Sequence, residues 1–454
     1  MGQPPTMSDA ENAVERVGAP GRDGVANLAD WVGIASVFIR PAALGGRHAP
    51  GRIAACGGVG DARPAGRLRL LAGRRSGRPG PAGLQPPRRA CDRALAMAGH
   101  PAVRSVEARR PPVWAGASDA KGQIMCHLWA LRTHLEERSA PAVTVKYLVE
   151  EEEIGSVHLA DLLSEHADDL NADVVMVSDS MLWSLDEPTV CAAVRGSVTA
   201  SLTVRGGARD IHSGVVSGAA ASAPFELCRL LGLLSDDSGR VALPGFYDAV
   251  ADRGANLAAL DTLPFDLLAW LADTGTFEAA GEAGFTVPER LWARPSVEVA
   301  RLTAGRTDAP ALGLIPAKAS ADLLFRLVPD QRADHVAEQL RTWLDGHRRP
   351  GFTYALEVSS TISDPYRTPP DHPALMALTR AVSHAYGAPA GHIGNGGATP
   401  AAQLARACTA PVLFFGTGLP GDRWHGPEER VEIQALRLRV RTLARFLDEL
   451  AAVR

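Results

Sequence analysis

Lysine is nearly missing from this 454-residue chain: Lys121, Lys146 and Lys318 are the only three among 47 basic residues. Arginine, alanine, glycine and proline abound instead; all have GC-rich codons, which points to a GC-rich genome. Cysteine is sparse too. Its six residues (Cys56, Cys91, Cys126, Cys191, Cys228 and Cys408) form no Cys-x-x-Cys pair. That argues against a thiolate zinc site or a disulfide framework and for a reducing compartment. No uncharged apolar run reaches the roughly 18 residues of a membrane span. No basic-then-apolar signal pattern opens the sequence, so the expected location is the cytoplasm. A net charge of -4 gives no reason to expect nucleic acid or an anionic membrane as partner. The remainder is ordinary globular composition, 46% apolar and 22% charged, with length for more than one domain.

Hydrophobic patterning predicts strands alternating with helices. Gln123 to Glu137 reads as a helix with Ile124, Leu128, Leu131 and Leu135 on one stripe. Val143–Val149 and Ala172–Ser178 read as buried strands, ending at the acidic run Glu150–Glu153 and at Asp179. From about Val190 the texture changes: a strand Val198–Val204, a helix Ala221–Leu234, a strand Ala321–Val328 and a helix Gln331–Leu344 suggest an inserted α+β unit. The α/β pattern then returns with helices His372–Tyr386, Pro400–Cys408 and Glu432–Leu450 and the strand Pro411–Phe415. In such sheets functional side chains gather at the carboxyl ends of strands, where both acidic clusters fall. The expected division is residues 1–189 and 363–454 for an α/β catalytic domain and 190–362 for the insertion.

Residues 38–112 depart from all of this. Of these 75 residues 52 are Ala, Gly, Arg or Pro, fifteen are Arg, and only Asp61, Asp92 and Glu107 are acidic. No period of 2 or 3.6 persists there, which by itself describes a basic linker.

Four loops carry chemistry. Ala117-Ser118-Asp119-Ala120-Lys121-Gly122 sets an acid before a helix. Glu150-Glu151-Glu152-Glu153-Ile154-Gly155-Ser156 and Ser178-Asp179-Ser180 set acids at strand ends. Trp424-His425-Gly426-Pro427-Glu428-Glu429 sets an imidazole after a strand. Singly these read as an N-cap, a solvated acidic face and an exposed histidine. Together they are the donor types that converge on divalent ions.

Their order and wording, with Asp210-Ile211-His212-Ser213-Gly214, Phe325-Arg326-Leu327-Val328-Pro329 and Asn395-Gly396-Gly397-Ala398, resemble the carnosinase-type dipeptidases of the aminoacylase/carboxypeptidase-G-like di-zinc metallopeptidase family, from Trp114 to the C-terminus. The resemblance implies a mixed-sheet α/β catalytic domain with a smaller α+β lid and dimerisation domain, and a homodimer. It implies two divalent ions, zinc with manganese or cobalt as alternatives, held by Asp119, Glu153, Asp179 and His425. Asp119 would bridge them and Glu152 would be the general base; the run lacks the family's usual glycine, so a shift of one residue stays open. His212 would stabilise the oxyanion in the partner subunit's site. Arg326 and the Gly396–Gly397 turn would bind the substrate carboxylate. Ala398 stands where the family often has Ser, and Ser222 where it often has Asn, which weakens two further contacts.

One expected ligand is missing. The family has a His-x-Asp motif some thirty residues before Asp119, and none occurs in 38–112. Degenerate codons for Gln85–Arg89, moved one base forward, admit Asn-His-His-Asp-Val. Those for His100–Ser105, in the same frame, admit Thr-Pro-Pro-Phe-Glu-Ala. Both resemble family wording at compatible spacing, so the segment reads as translated out of frame. The implied activity is hydrolysis of dipeptides or short peptides with a free C-terminal carboxylate, impaired in this chain. Alternatives are an N-acyl amino acid deacylase or desuccinylase on the same scaffold, or a catalytically dead binding homologue.

Overall fold

One strand organises the molecule. In the computed structural model, which describes residues 68–72, 116–149, 158–250, 263–305, 313–424 and 429–453, Thr189–Arg205 is a single 17-residue strand. The strands in chain order are β1 (Leu68–Ala72), β2 (Val145–Val149), β3 (Val175–Val177), β4 (Thr189–Arg205), β5 (Ile211–His212), β6 (Ser296–Ala304), β7 (Leu314–Ile315), β8 (Lys318–Leu327), β9 (Thr353–Val358), β10 (Tyr366–Arg367), β11 (Gly391–Ala398) and β12 (Val412–Phe414). The larger sheet runs β3-β12-β4-β8-β6, with β9, β10 and β11 also on β4. β1 pairs with β2, and β5 with β7. The ladders are mixed: β3–β12 and β4–β11 are parallel, β4–β8, β4–β9 and β6–β8 antiparallel. This is the expected mixed-sheet α/β class.

Helices α1 (Gly122–Arg138), α2 (Ala223–Gly232), α3 (Val287–Trp292), α4 (Ala333–His347), α5 (Pro373–Tyr386), α6 (Ala401–Cys408) and α7 (Ile433–Ala451) frame the sheets. Three buried clusters form among the described residues. One joins Trp129 of α1 to Leu375 and Leu378 of α5, Leu413 and Phe415, and Leu436, Leu443 and Phe446 of α7. A second lies between α6, β3 and β12. The third draws only on residues 198–358 and packs Leu227, Leu230, Leu340 and Trp343 over Leu202, Leu323 and Phe325.

The structure corrects several expectations. Of the stripe expected on α1, Leu131 is buried, but Leu128 and Leu135 are 41% and 42% exposed. The inward face instead carries Gln123, Cys126, Thr133 and His134. Its polar members each have a partner: Gln123 donates to the Ser118 carbonyl, Thr133 to the Trp129 carbonyl, and His134 Nε2 lies 2.9 Å from the Ala444 carbonyl, while His134 Nδ1 has none among the described residues. A polar group bonded inside costs little, so apolar spacing alone misidentified the face. The strand expected at Val198–Val204 begins at Thr189. The Gly396–Gly397 turn is a bulged part of β11, which shifts register between Asn395 and Ala398. Within 38–112 the described residues are the strand β1, parallel to β2. The rest of that segment, and so the frame reading, lies outside the described residues.

Candidate active site

Asp119 sits in a tight turn entered through Gly116, whose φ of 81° suits glycine. The Lys121 N–H closes the turn on the Gly116 carbonyl at 2.8 Å. The Asp119–Ala120 peptide is cis. The buried Glu429 carboxylate accepts three backbone N–H groups: Gly116 at 2.8 Å, Ser118 at 2.8 Å and Asp119 at 2.9 Å. The fully buried Ser118 donates its hydroxyl to Asp422 at 2.6 Å and accepts the Trp424 indole N–H at 2.8 Å. Burial lifts the Asp422 carboxyl above the ordinary carboxylate range, and the Ser118 bond opposes that rise. Trp424 and Glu429, the described residues on either side of 425–428, thus both end on the Asp119 turn.

Asp179 follows β3, whose ladder continues past its end. Phe415 N–H donates to the Val177 carbonyl at 3.2 Å, and Leu182 N–H to the Gly418 carbonyl at 2.7 Å. A Cβ on Gly416 would lie 1.5 Å from the Ser180 oxygen, so only glycine fits there. The two acidic turns are joined through Thr417 and Gln123. Thr417 N–H donates to Gln123 Oε1 at 3.3 Å, while Gln123 Nε2 holds the Ser118 carbonyl at 2.9 Å. Behind them Arg439, 0% exposed, donates to Gln123 Oε1 at 3.1 Å and lies over the Phe415 ring. His127 Nε2 bonds the Ser178 hydroxyl beside Asp179. Burial first, then the Arg439 cation, pushes the His127 pKa down to about 3, so the ring is neutral.

Asp119 and Asp179 therefore stand on turns that share the 416–424 segment. Glu152, Glu153 and His425 lie outside the described residues. Among the described residues no group of three carboxylate, imidazole or thiol side chains is placed to hold a metal ion. The donors present do fit one in kind: each of the two turns carries a carboxylate, and the segment joining them carries the fully buried Thr417 hydroxyl, which has no hydrogen-bond partner among the described residues. Such oxygen donors suit a divalent cation.

The residues expected on the substrate side fall in two places. His212 is exposed on β5, paired with Leu314 of β7. Its Nδ1 accepts the Gly214 N–H at 3.1 Å, which leaves the neutral ring's proton on Nε2 as a donor. Arg326, Gly396 and Gly397 come together elsewhere, through a residue the sequence reading did not single out. Arg195 of β4 donates from Nε to the Gly396 carbonyl at 3.1 Å. Arg326 lies opposite Ser197 in the β4–β8 ladder. The Gly397 N–H is engaged by Asn395 Oδ1 at 2.8 Å.

Arg195, Gln123, Glu429 and Arg439 all escaped the sequence reading. A signal existed for two of them: a charged residue inside an apolar strand, as at Arg195, or on the buried face of an amphipathic helix, as at Arg439, needs a specific partner.

Known proteins similar to this chain identify its family. The model of peptidase family M20/M25/M40 matches residues 115–449. Beta-Ala-His dipeptidase of Rattus norvegicus is 24% identical over 324 residues, 70% of this chain and 66% of that protein. Cysteinylglycine-S-conjugate dipeptidase of Corynebacterium striatum is 26% identical over 354 residues, 72% of this chain and 75% of that one. The matched part thus spans about two thirds of the rat protein. Among solved structures, an M20 family metallo-carboxypeptidase of Sulfolobus solfataricus superposes with a TM-score of 0.67 at 26% identity, over 74% of this chain and 77% of that one. Human carnosine dipeptidase 1 shares the fold, with a TM-score of 0.72 at 21% identity over 99% of this chain and 100% of its own. With the family model covering every acidic loop described above, the chain belongs to peptidase family M20/M25/M40.

Proposed function

We propose that this chain is a metal-dependent dipeptidase, acting on dipeptides or short peptides with a free C-terminal carboxylate. The observation that carries this is the joining of the Asp119 and Asp179 turns through one segment, 416–424, in a chain of this peptidase family. Asp119, Glu153, Asp179 and His425 would hold two divalent ions, zinc with manganese or cobalt as alternatives. When bound, the ions supply Lewis acidity and make water a competent nucleophile at neutral pH. Glu152 takes the proton from the attacking water and passes it to the leaving amine nitrogen. His212 Nε2–H donates to the oxygen that becomes negative as the carbonyl carbon turns tetrahedral. Arg326 holds the terminal carboxylate with its planar fork.

In this reading residues 190–362 form the lid and dimerisation domain of a cytoplasmic homodimer, and His212 serves the partner's site. The separate core over residues 198–358 supports that division. No helix among the described residues is long and apolar enough to cross a membrane. The absence of a His-x-Asp motif in 38–112 favours a second reading, in which the chain binds peptide but turns it over poorly. Hydrolysis of dipeptides and of N-acetyl amino acids, with added zinc or manganese, tests the first reading against a deacylase. Metal counting by mass spectrometry tests it against the dead homologue, which would hold fewer than two ions.

A further inference from the structure

Arg195 has no task in the chemistry above, yet it occupies an expensive position. It is 9% exposed inside β4, and a buried cation is tolerated only where partners compensate it. Its hydrogen bonds go to carbonyls: Nε to Gly396 at 3.1 Å and Nη1 to Arg290 at 3.5 Å. These tie the β11 bulge to the end of α3. A Cβ placed on Gly396 would lie 3.4 Å from Arg195 Nη2 and 3.3 Å from the Leu291 carbonyl, so the glycine lets the bulge close onto the guanidinium.

The second observation is what lies beside it. Ser197 faces Arg326 across the β4–β8 ladder. Arg195, two residues earlier on the same face, is therefore a diagonal neighbour of Arg326. Burial first, then repulsion from Arg326, lowers the Arg195 pKa to about 10, with Glu298 opposing; burial lowers that of Arg326. Both remain charged at neutral pH. Among the described residues neither guanidinium is ion-paired to a carboxylate within salt-bridge distance. Two like charges on one sheet face, one of them held rigidly and opposed only by Glu298 at longer range, favour an anion beside them.

We propose that Arg195 is a positioning residue for recognition of the substrate's terminal carboxylate: it fixes the Gly396–Gly397 bulge and adds a second positive charge beside Arg326. The inference rests on the dipeptidase reading for the identity of the ligand. It differs from a merely structural role in one respect. Its effect follows the charge at the peptide's C-terminus.

The test is calorimetric binding of a reduced-bond Ala-Ala analogue, which resists hydrolysis, and of its C-terminal amide, to the full chain. The wild type binds the acid at least about tenfold more tightly than the amide, the scale of a charge-assisted contact. Arg195→Met weakens the acid by about tenfold and the amide by less than about twofold, closing the gap. Arg195→Lys keeps the charge but not the two-carbonyl clasp, and retains part of the gap; it serves alone if the Met variant fails to fold. Equal binding of acid and amide by the wild type overturns the proposal. So does a variant that weakens both ligands by one factor, or an Arg195→Lys gap equal to wild type. Hydrolysis of Ala-Ala is scored separately: an intact acid-to-amide gap without turnover supports the pocket and counts against the dipeptidase reading alone.

Discussion

The Glu429 carboxylate accepts the backbone N–H of Asp119 at 2.9 Å across 310 positions of sequence. With the N–H groups of Gly116 and Ser118 on the same carboxylate, it holds the Asp119 turn from behind. Glu429→Ala leaves three donors unpaired, one on the fully buried Ser118 and two on the half-buried Gly116 and Asp119. The expected loss of stability is about 1–3 kcal/mol per buried donor left unmet. Glu429→Gln keeps the shape but turns an amide N–H toward other N–H groups, and falls between wild type and Ala. Thermal unfolding gives the order. Metal uptake measured alongside falls in the same order if the turn must be preformed for Asp119 to bind.

Gly416 and Gly346 make a paired test of close approach. A methyl at Gly416 meets the Ser180 oxygen at 1.5 Å, whereas one at Gly346 in α4 meets nothing within 4 Å. Gly416→Ala is expected to cost at least about 1–3 kcal/mol through overpacking. Gly346→Ala is expected to be neutral or to stabilise by about 0.5–1 kcal/mol, the helix-interior difference between the two residues. Urea midpoints of the two variants decide it. Equal midpoints would mean the β3 and β12 ends do not meet as described.

His127 gives the pH dependence a sign. Its folded pKa, about 3, lies below the ordinary value of 6.5. The unfolded chain therefore binds more protons between those limits. The contribution of the neutral ring is fully present above about pH 6.5 and is lost as pH falls toward 3. Its slope is at most one proton, about 1.4 kcal/mol per pH unit. Urea unfolding at pH 7, 6 and 5 should show this loss in wild type and its absence in His127→Gln. Parallel curves for the two would show that another group carries the acid sensitivity.

If residues 38–112 are out of frame, restoring the frame is expected to raise dipeptide turnover with added zinc or manganese, because it would supply the histidine expected of the proposed metal site. Comparable turnover by the two proteins removes the frame argument. In the restored protein Glu152→Gln should keep its metals and lose most turnover, since the amide cannot take the proton from water. If Glu151→Gln does this instead, the count along the acidic run is short by one.

Much of this was legible in the sequence for a definite reason. Asp179 and Arg326 sit in short stretches where a strand end or strand alternation leaves few placements, and Asp119 sits in the tight turn that opens a helix. What escaped depended on contacts far along the chain. Nothing near Glu429 announces that its partners are Gly116, Ser118 and Asp119. The inward face of α1 was misassigned because Gln123 and His134 are buried by virtue of their bonds to Ser118 and Ala444, not by apolarity. β11, a glycine-rich run without apolar alternation, forms because β4 offers it a ladder.

The length of β4 also bears on how the molecule moves. Its first residues, through Arg195, are flanked by β10, β11 and β12; from Ala200 onward β9 lies on one side and β8 on the other. Between these stretches the strand keeps β8 and gains the Ser197–Ser363 bridge, while a Cβ on Gly196 would lie 2.4 Å from the Ser363 oxygen. Here the connection between the two halves is not a loop. Any rotation of one half against the other would therefore be taken up as torsion spread over a hydrogen-bonded ribbon, as in a torsion bar rather than a door hinge.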